Sequence, residues 1–435
     1  METSLPLFAP EQIAIKEVKA EHGKPRIVEP QRAQGEIRFE IPEDTLAPSH
    51  PARVLWDVLG TVDLTAFGAD CASVEGKAGR AMLSPRMLLT LWLYAISQAV
   101  GSAREIERLI ESDVAYRWIA GNLRVSHHKL SAFRVNHGAA LNALMTNVLA
   151  ALMEKGLLSL EMVAQDGTRT RAAATAPSFR TYGSLLECRE QAALHLKAVL
   201  AAADDPEYTR AQHMARANGA RKFQERVEAA IATVTELQKE RALGAKPARA
   251  STTDAEARVM KMGDGGFRPA YNVQYAVAGS PLGGPRTIVG VQVTNVGGDQ
   301  GSLGPMVGQI KERTGELPHA LLADGGHAKH EDIAATRRQG VDVLVAVPDR
   351  AKSIERLKQD GADPEVIAWR ERMETEEAQR LYRARAGLVE LANAHQKTHH
   401  GIDQVLVRGI EKVTCVVLLN AIGSNLLQHA RHLLG

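Results

Sequence analysis

At Leu157 the hydrophobic pattern changes its period, and this switch constrains the fold more than any other feature of the chain. Before it, Leu88, Leu91, Trp92, Ala95 and Ala99 recur at offsets 0, 3, 4, 7 and 11, one face of a helix. After it, in LSLEMVAQDGT, Leu160, Met162, Ala164 and Asp166 alternate with Glu161, Val163 and Gln165, as in a strand with one buried face. Further strand-like segments are expected at Ala270–Val277, Arg286–Thr294, Ala320–Asp324 and Val341–Val347, with helices at Gln300–Thr314 and His330–Gly340. Two adjacent strands followed by strand–helix alternation give a mixed α/β sheet.

The remaining stretches divide the chain. Residues 1–50 carry six prolines, from Pro6 to Pro48, and read as an extended lead-in with one strand at Ile37–Ile41. Residues 51–155 are helical, with an S-x-x-E capping box at Ser102 and Glu105 and a helix over His127–His137 opened by Ser126. Residues 182–246 are rich in Ala, Glu, Gln, Lys and Arg, with Val227, Ile231, Val234 and Leu237 at helical spacing. A structureless loop of that length would be unusual in a compact domain, so a helical hairpin inserted into the sheet is expected. Asp349–Glu374 is a smaller interruption, and Ala378–Gly435 is helical again. The sheet domain is thus 156–181 together with 247–435.

Composition excludes several classes. Cys71, Cys188 and Cys415 lie over a hundred residues apart with no CxxC, which rules out a disulfide scaffold and a zinc ribbon. METSLPLFAPEQ shows no basic n-region ahead of an apolar stretch, so no signal peptide is expected. The longest apolar run, Met87–Val100, falls short of the roughly 20 residues of a membrane span. A soluble, cytoplasmic protein with no membrane partner is expected. Fifty-three basic and 51 acidic residues nearly cancel, so nucleic-acid binding needs a local argument. Arg210–Lys261 holds 11 Lys/Arg against 6 Asp/Glu, a net of +5, which suits a solvated hairpin or a DNA-facing surface equally. The short helices after Ser102 could form a helix-turn-helix unit that brings Arg124, His127, His128, Lys129 and Arg134 toward DNA, although plain helical bundles share the pattern.

GxxxxGK[ST], HExxH, GxSxG and a GxGxxG after a strand are all absent. Gly297-Gly298-Asp299-Gln300-Gly301 lacks the phosphate-loop lysine and reads as a strand-to-helix turn. What remains are carboxylates. Asp166 and Asp324 each close a strand and are each followed by glycine, at the sheet edge where open α/β folds place their sites. Taken singly, each Asp-Gly reads better as a turn. Glu390 lies on an expected helix, Ala378–His395, between apolar Leu388, Val389 and Leu391, near its buried edge. Lys397 lies seven residues on, along the same face. Two aspartates and one glutamate could hold a pair of divalent ions for phosphoryl displacement. Oxygen ligands suit Mg2+ or Mn2+, and the lack of a His/Cys cluster disfavours zinc.

At these residues the chain resembles the DDE transposases of bacterial insertion sequences, in the subgroup with an InsH-like helical N-terminal domain. The resemblance rests on seven blocks in one order, among them LSPRMLLTLWLYA, QDGTRTRAAA, TNVGGDQGSLGPM, LLADGGHAKHEDI and YRARAGLVELANAHQK. It implies a ribonuclease-H-like catalytic domain behind a DNA-binding helical domain. It also implies Asp166, Asp324 and Glu390 as catalytic and metal-ligating residues for two Mg2+ or Mn2+ ions. The implied reaction is cleavage and strand transfer at the terminal inverted repeats of an insertion sequence. The implied partners are double-stranded DNA and, because two ends must meet, further copies of the chain. Arg169, Arg171, Tyr382, Arg383, Arg385 and Lys397, with Arg124, Lys129 and Arg134, are the expected DNA contacts, and Arg180 is expected near the triad. Some positions depart from the family pattern: His327 stands where many relatives have an aromatic, and Leu391 and Asn393-Ala394 where many have Pro and Phe-Gly. Arg385 precedes Glu390 by five positions rather than the four of a Y-R-E-K arrangement. The rival readings are a catalytically silent, transposase-derived DNA-binding protein and a nuclease that cuts without joining.

Overall fold

The chain was analysed as a computed structural model, which describes residues 39–69, 81–202, 207–241, 246–280, 282–348 and 352–434. The strand expected at Ile37–Ile41 begins outside these residues, and Phe39–Ile41 are not in a strand. Pro42–Gly435 is one compact unit.

Six helices come first: α1 Pro51–Gly60, α2 Pro85–Ser97, α3 Ala103–Ser112, α4 Val114–Ala120, α5 His127–Asn136 and α6 Gly138–Glu154. Ser84 caps α2 by accepting from the Met87 N–H, and Pro85 sits at its first turn, where a missing N–H costs nothing. Every residue of α2 from Met87 to Ile96 is buried, so the apolar run is a core helix of the bundle. Of the expected capping box only half forms. Ser102 accepts from the Glu105 N–H, while the Glu105 carboxylate turns to Arg108.

The sheet follows. Its strands are β1 Met162–Arg171, β2 Phe179–Arg180, β3 Ala250–Ser251, β4 Arg258–Lys261, β5 Phe267–Ala278, β6 Thr287–Thr294, β7 Ala320–Ala323 and β8 Asp342–Val345. Between β2 and β3 stand α7 Tyr182–Ala201 and α8 Arg210–Lys239, which pack on each other as the expected hairpin around Leu185, Ala230 and Val234. Then come α9 Leu303–Thr314, α10 His330–Arg337, α11 Ile354–Gln359, α12 Pro364–Glu374, α13 Glu376–Tyr382, a π-helical turn Ala386–Glu390, α14 Leu391–Thr398 and α15 Ile410–Leu433. β5 pairs antiparallel with β1, β4 and β6, whereas β1, β7 and β8 run parallel. The order β6-β5-β1-β7-β8, three antiparallel strands followed by two parallel ones, is the ribonuclease-H-like arrangement. The chain is therefore a helical N-terminal region followed by a mixed-sheet core with helical insertions.

One strand boundary corrects the sequence reading. Asp166 does not close β1, which continues to Arg171 against β5. Only the parallel pairing with β7 stops there, at Gln165 opposite Ala323. Alternation alone could not show this, because the residues after Asp166 are mostly polar and lack the β7 pairing that the residues before it have; only Arg171 gains a second partner, Gln404.

α15 joins the two regions. It is long and apolar enough to cross a membrane by length and composition alone, yet it is mostly buried here, packed against α1, α2, α5, α6 and β6. It also caps the edge of the sheet. An edge strand leaves backbone groups unpaired, and buried ones need partners. Asn425 accepts from the Ile288 N–H and donates to the Ile288 carbonyl, both at 2.8 Å. Gln428 does the same for Arg286 at 2.9 and 3.2 Å, while from α9 Gln309 accepts from the Val291 N–H and Arg313 donates to the Val289 carbonyl. Asn425→Ala leaves two buried backbone groups unpaired. It should lower unfolding stability by about 2–4 kcal/mol in a denaturant titration, and a change within experimental error would show that water replaces the clamp.

Candidate active site

β1 and β7 are neighbours in parallel register, so the residues just past Gln165 and Ala323 lie side by side at the edge of the sheet. These are Asp166 and Asp324. Adjacent strands are about 4.8 Å apart, so the two carboxylates share one small volume. Asp166 is mostly buried, with its side chain 20% exposed. Its Oδ1 accepts from the Gly167 N–H at 2.9 Å and its Oδ2 from Asn393 Nδ2 at 3.3 Å. Asp324 caps a 3-10 turn, and its Oδ1 takes the Gly326 N–H and faces His327 Nδ1, both at 2.9 Å. The turn reading of Asp-Gly-Gly is thus correct for the backbone, and it also aims the side chain.

The two acids are perturbed in opposite directions. Burial, and then the neighbouring Asp324 charge, push the Asp166 carboxyl above the usual range. The hydrogen bond from His327 holds Asp324 below it. A carboxyl raised on folding stabilises the fold only while protonated, and this stability is lost as pH rises through its folded-state pKa. A lowered one stabilises only while ionised, and this is lost as pH falls. At neutral pH and without divalent metal, Asp166→Asn should therefore raise the thermal midpoint by a few degrees and Asp324→Asn should lower it. The Asp166 difference should vanish once pH falls below the ordinary aspartate range of about 4, whereas the Asp324 difference should persist there and fade only at lower pH, as its depressed folded-state pKa is passed. Equal shifts of one sign in thermal scans at pH 7 would refute this asymmetry.

Glu390 ends the π-helical turn, which packs against β1 and β5. Its carboxylate is half exposed and accepts from Arg385 Nη2 at 2.5 Å, while Arg385 Nη1 lies 3.9 Å from Asp166 Oδ2. One guanidinium therefore bridges two of the three acids. Arg385 is held above its ordinary range: burial opposes its charge, but Tyr382, Asp166, Glu390 and Asp324 outweigh that. Tyr382 lies against Arg385, its ring centroid 6.0 Å from the guanidinium carbon. Lys397 is half-buried nearby, pulled down by burial and within the fields of Asp403, Arg169 and Asp166.

The π turn explains the five-residue spacing. A π turn closes i to i+5, so it takes up one extra residue and brings Arg385 and Glu390 to the same face. Deleting Ala386 should convert the turn to α-helix, keep the Arg385–Glu390 pair and leave the thermal midpoint nearly unchanged. Deleting Ala392, in the regular helix α14, should unfold that segment. Equal damage from the two deletions, read by circular dichroism, would remove this explanation.

Other expected contacts fall elsewhere. Along β1, Gly167 and Arg169 pair with Gln274 and Asn272 on one face, whereas Asp166 pairs with Tyr275 on the other. Arg169 thus projects away from the Asp166 side, held by Asp299 and the Gly297 carbonyl. It lines a cleft with Arg258, Lys261 and Gly297. Arg171 shares its face and is tied to Asp403 at 2.5 Å. Arg180 is exposed on β2, and Arg383 is exposed and donates to the Gln379 carbonyl. In the helical region Arg124 and Lys129 are exposed. Arg134 is not available to a partner. It is buried, stacks over Trp92 at 4.4 Å and donates to the Gly101 carbonyl, and burial lowers it to about 10. Its spacing is that of a core position, which the basic side chain disguised.

Residues 334–430 match a family model described as Transposase DDE domain, and residues 41–136 match one described as Transposase domain (DUF772). The chain carries both transposase domains. The DDE match spans Glu390, Arg385 and Lys397 and begins ten residues after Asp324; the N-terminal match spans α1 to α5. No curated protein and no solved structure matches the chain. Among the described residues no group of three His, Cys, Asp or Glu side chains is placed to hold a metal ion, and Glu390 is engaged by Arg385. The donor chemistry of the aspartate pair nonetheless fits a hard divalent cation. Both offer oxygen donors, and a shared cation would relieve their mutual repulsion.

Proposed function

We propose that the chain is a DDE transposase that cuts and joins double-stranded DNA at the terminal inverted repeats of an insertion sequence, using Mg2+ or Mn2+. The observation that carries this reading is the pair Asp166 and Asp324 on neighbouring parallel strands, with Glu390 brought to the same place through Arg385. The two transposase domain matches point the same way.

In this reading Asp166, Asp324 and Glu390 hold two divalent ions. When bound, these supply the charge that activates the attacking oxygen and stabilises the leaving one. The chain's own residues do the rest. His327 and the Gly326 N–H fix one oxygen of Asp324, and Gly167 and Asn393 orient Asp166. Arg385 holds the acids together and, with Tyr382 and Lys397, offers donors to a phosphate beside them. Arg169, Arg258 and Lys261 line a basic cleft, with Arg169 on the opposite face of the sheet from Asp166. Arg124 and Lys129 present charge from the helical region, where end recognition belongs. Because two ends must be joined, the active form is an oligomer, and the substrate places the work in the cytoplasm.

Asp324→Asn keeps the shape and removes a ligand charge. Cleavage of end-bearing DNA with Mg2+ or Mn2+ should fall by roughly a thousandfold, as it should for Glu390→Gln. Binding in a gel-shift should survive, since phosphate contacts come from separate basic residues. Cleavage by Asp324→Asn at the wild-type rate would refute the catalytic assignment. Wild-type protein that binds but never cuts would favour the silent DNA-binding reading.

A further inference from the structure

Behind the aspartate pair, on the opposite face of the sheet from Asp166, lies a carboxylate that the reaction above leaves unused. Asp299 follows β6 in the Gly297–Gly301 turn, and its side chain is only 16% exposed. Its Oδ1 accepts from Gln274 Nε2 at 2.6 Å and from Asn272 Nδ2 at 2.7 Å. Arg169 reaches both of its oxygens at 3.4 Å. Gly167 makes room for this cluster: a Cβ there would come within 2.3 Å of Gln274 Nε2 and 2.5 Å of Asp299 Oδ1.

The consequence lies in the polarity of an amide. A carboxylate accepts and does not donate, so it captures the NH2 end of Gln274 and turns Oε1 the other way. That oxygen meets Gln165 Nε2 at 3.3 Å and His327 Nε2 at 3.2 Å. His327 is fully buried, and its other nitrogen faces Asp324 Oδ1 at 2.9 Å. Were Gln274 flipped, its oxygen would oppose the Asp299 carboxylate, and its NH2 instead of Oε1 would meet the imidazole and Gln165 Nε2. Asp299 therefore determines which end of Gln274 the ring meets.

We propose that Asp299 is a positioning residue for Asp324, acting through Gln274 and His327 to fix the orientation in which Asp324 receives a divalent cation. The proposal rests on the metal-dependent reading above only in naming what Asp324 receives.

The test is Mn2+ binding by calorimetry to the full chain, with thermal midpoints alongside. Outer-shell partners typically contribute 10–100-fold to metal affinity, and Asp299→Ala should weaken binding by about that factor. Asp299→Asn keeps an acceptor oxygen for Gln274 and should stay within about threefold of wild type. In a His327→Phe background there is nothing left to act through, so Asp299→Ala should add less than about threefold. Wild-type affinity in Asp299→Ala, or full additivity with His327→Phe, would overturn the proposal. Asp299→Asn as weak as Asp299→Ala would also overturn it, by making Asp299 a direct ligand. Should Asp299→Ala fail to fold, Gln274→Met is expected to show the same loss, and unchanged affinity there would be equally fatal. If wild type neither binds Mn2+ nor cuts, the metal reading falls. The 15N resonances of the His327 ring then decide: a shift in Asp299→Ala supports the relay, and identical spectra refute it.

Discussion

Two carboxylates at the point where the parallel pairing of β1 and β7 stops repel one another, and the surrounding structure is arranged around that repulsion. Asp166 is the more buried of the pair and takes the unfavourable shift, while Asp324 is held low by His327. Arg385 lends positive charge from the helical side, anchored at Glu390. The arrangement is destabilising for a metal-free protein at neutral pH, and it persists because the sheet on one side and the helical segment on the other hold it in place. In the proposed reading a bound cation would relieve this repulsion.

The frame that holds the pair is unusually cross-linked. β1 pairs on one side with β7, which brings Asp324 into register, and on the other with β5, which carries Asn272 and Gln274. Side chains from α15 and α9 meet backbone groups of Ile288, Val289 and Val291 on the side of β6 away from β5. The last helix of the chain thereby completes the N-terminal bundle and supports the catalytic sheet together. The π turn belongs to the same economy of position: one extra residue is absorbed locally, and the helices on either side keep their faces.

Much of this was legible in the residues. The period switch at Leu157 located the start of the sheet, and helical spacing located the hairpin now seen as α7 and α8. The sequence pattern singles out Asp166 and Asp324 as strand ends and Glu390 by its apolar neighbours; Asp324 does follow β7, whereas β1 runs on past Asp166 and Glu390 is half exposed. Other features were hidden for physical reasons. β4 is four residues long and half polar, too short for a period to register. Arg134 is a cation on a core face, where composition suggests solvent and the Trp92 ring supplies the real partner. The role of Asp299 was masked by its glycines, which read as a turn. The signal for it lies 25 residues earlier, in YNVQY, where Asn272 and Gln274 alternate with Tyr271, Val273 and Tyr275, and both amides are buried. Two buried amides on one face require polar partners, and such a pair in a sequence predicts a third polar group from elsewhere in the chain.

The central claim is that these acids form a cation site which Arg385 only partly satisfies in the metal-free protein. Crystals grown with Mn2+ and measured at the manganese absorption edge test it most directly. The account predicts anomalous density between Asp166 and Asp324, with Glu390 turned from Arg385 toward the same density. Density elsewhere, or none while the Arg385–Glu390 pair stays intact at saturating Mn2+, would contradict it.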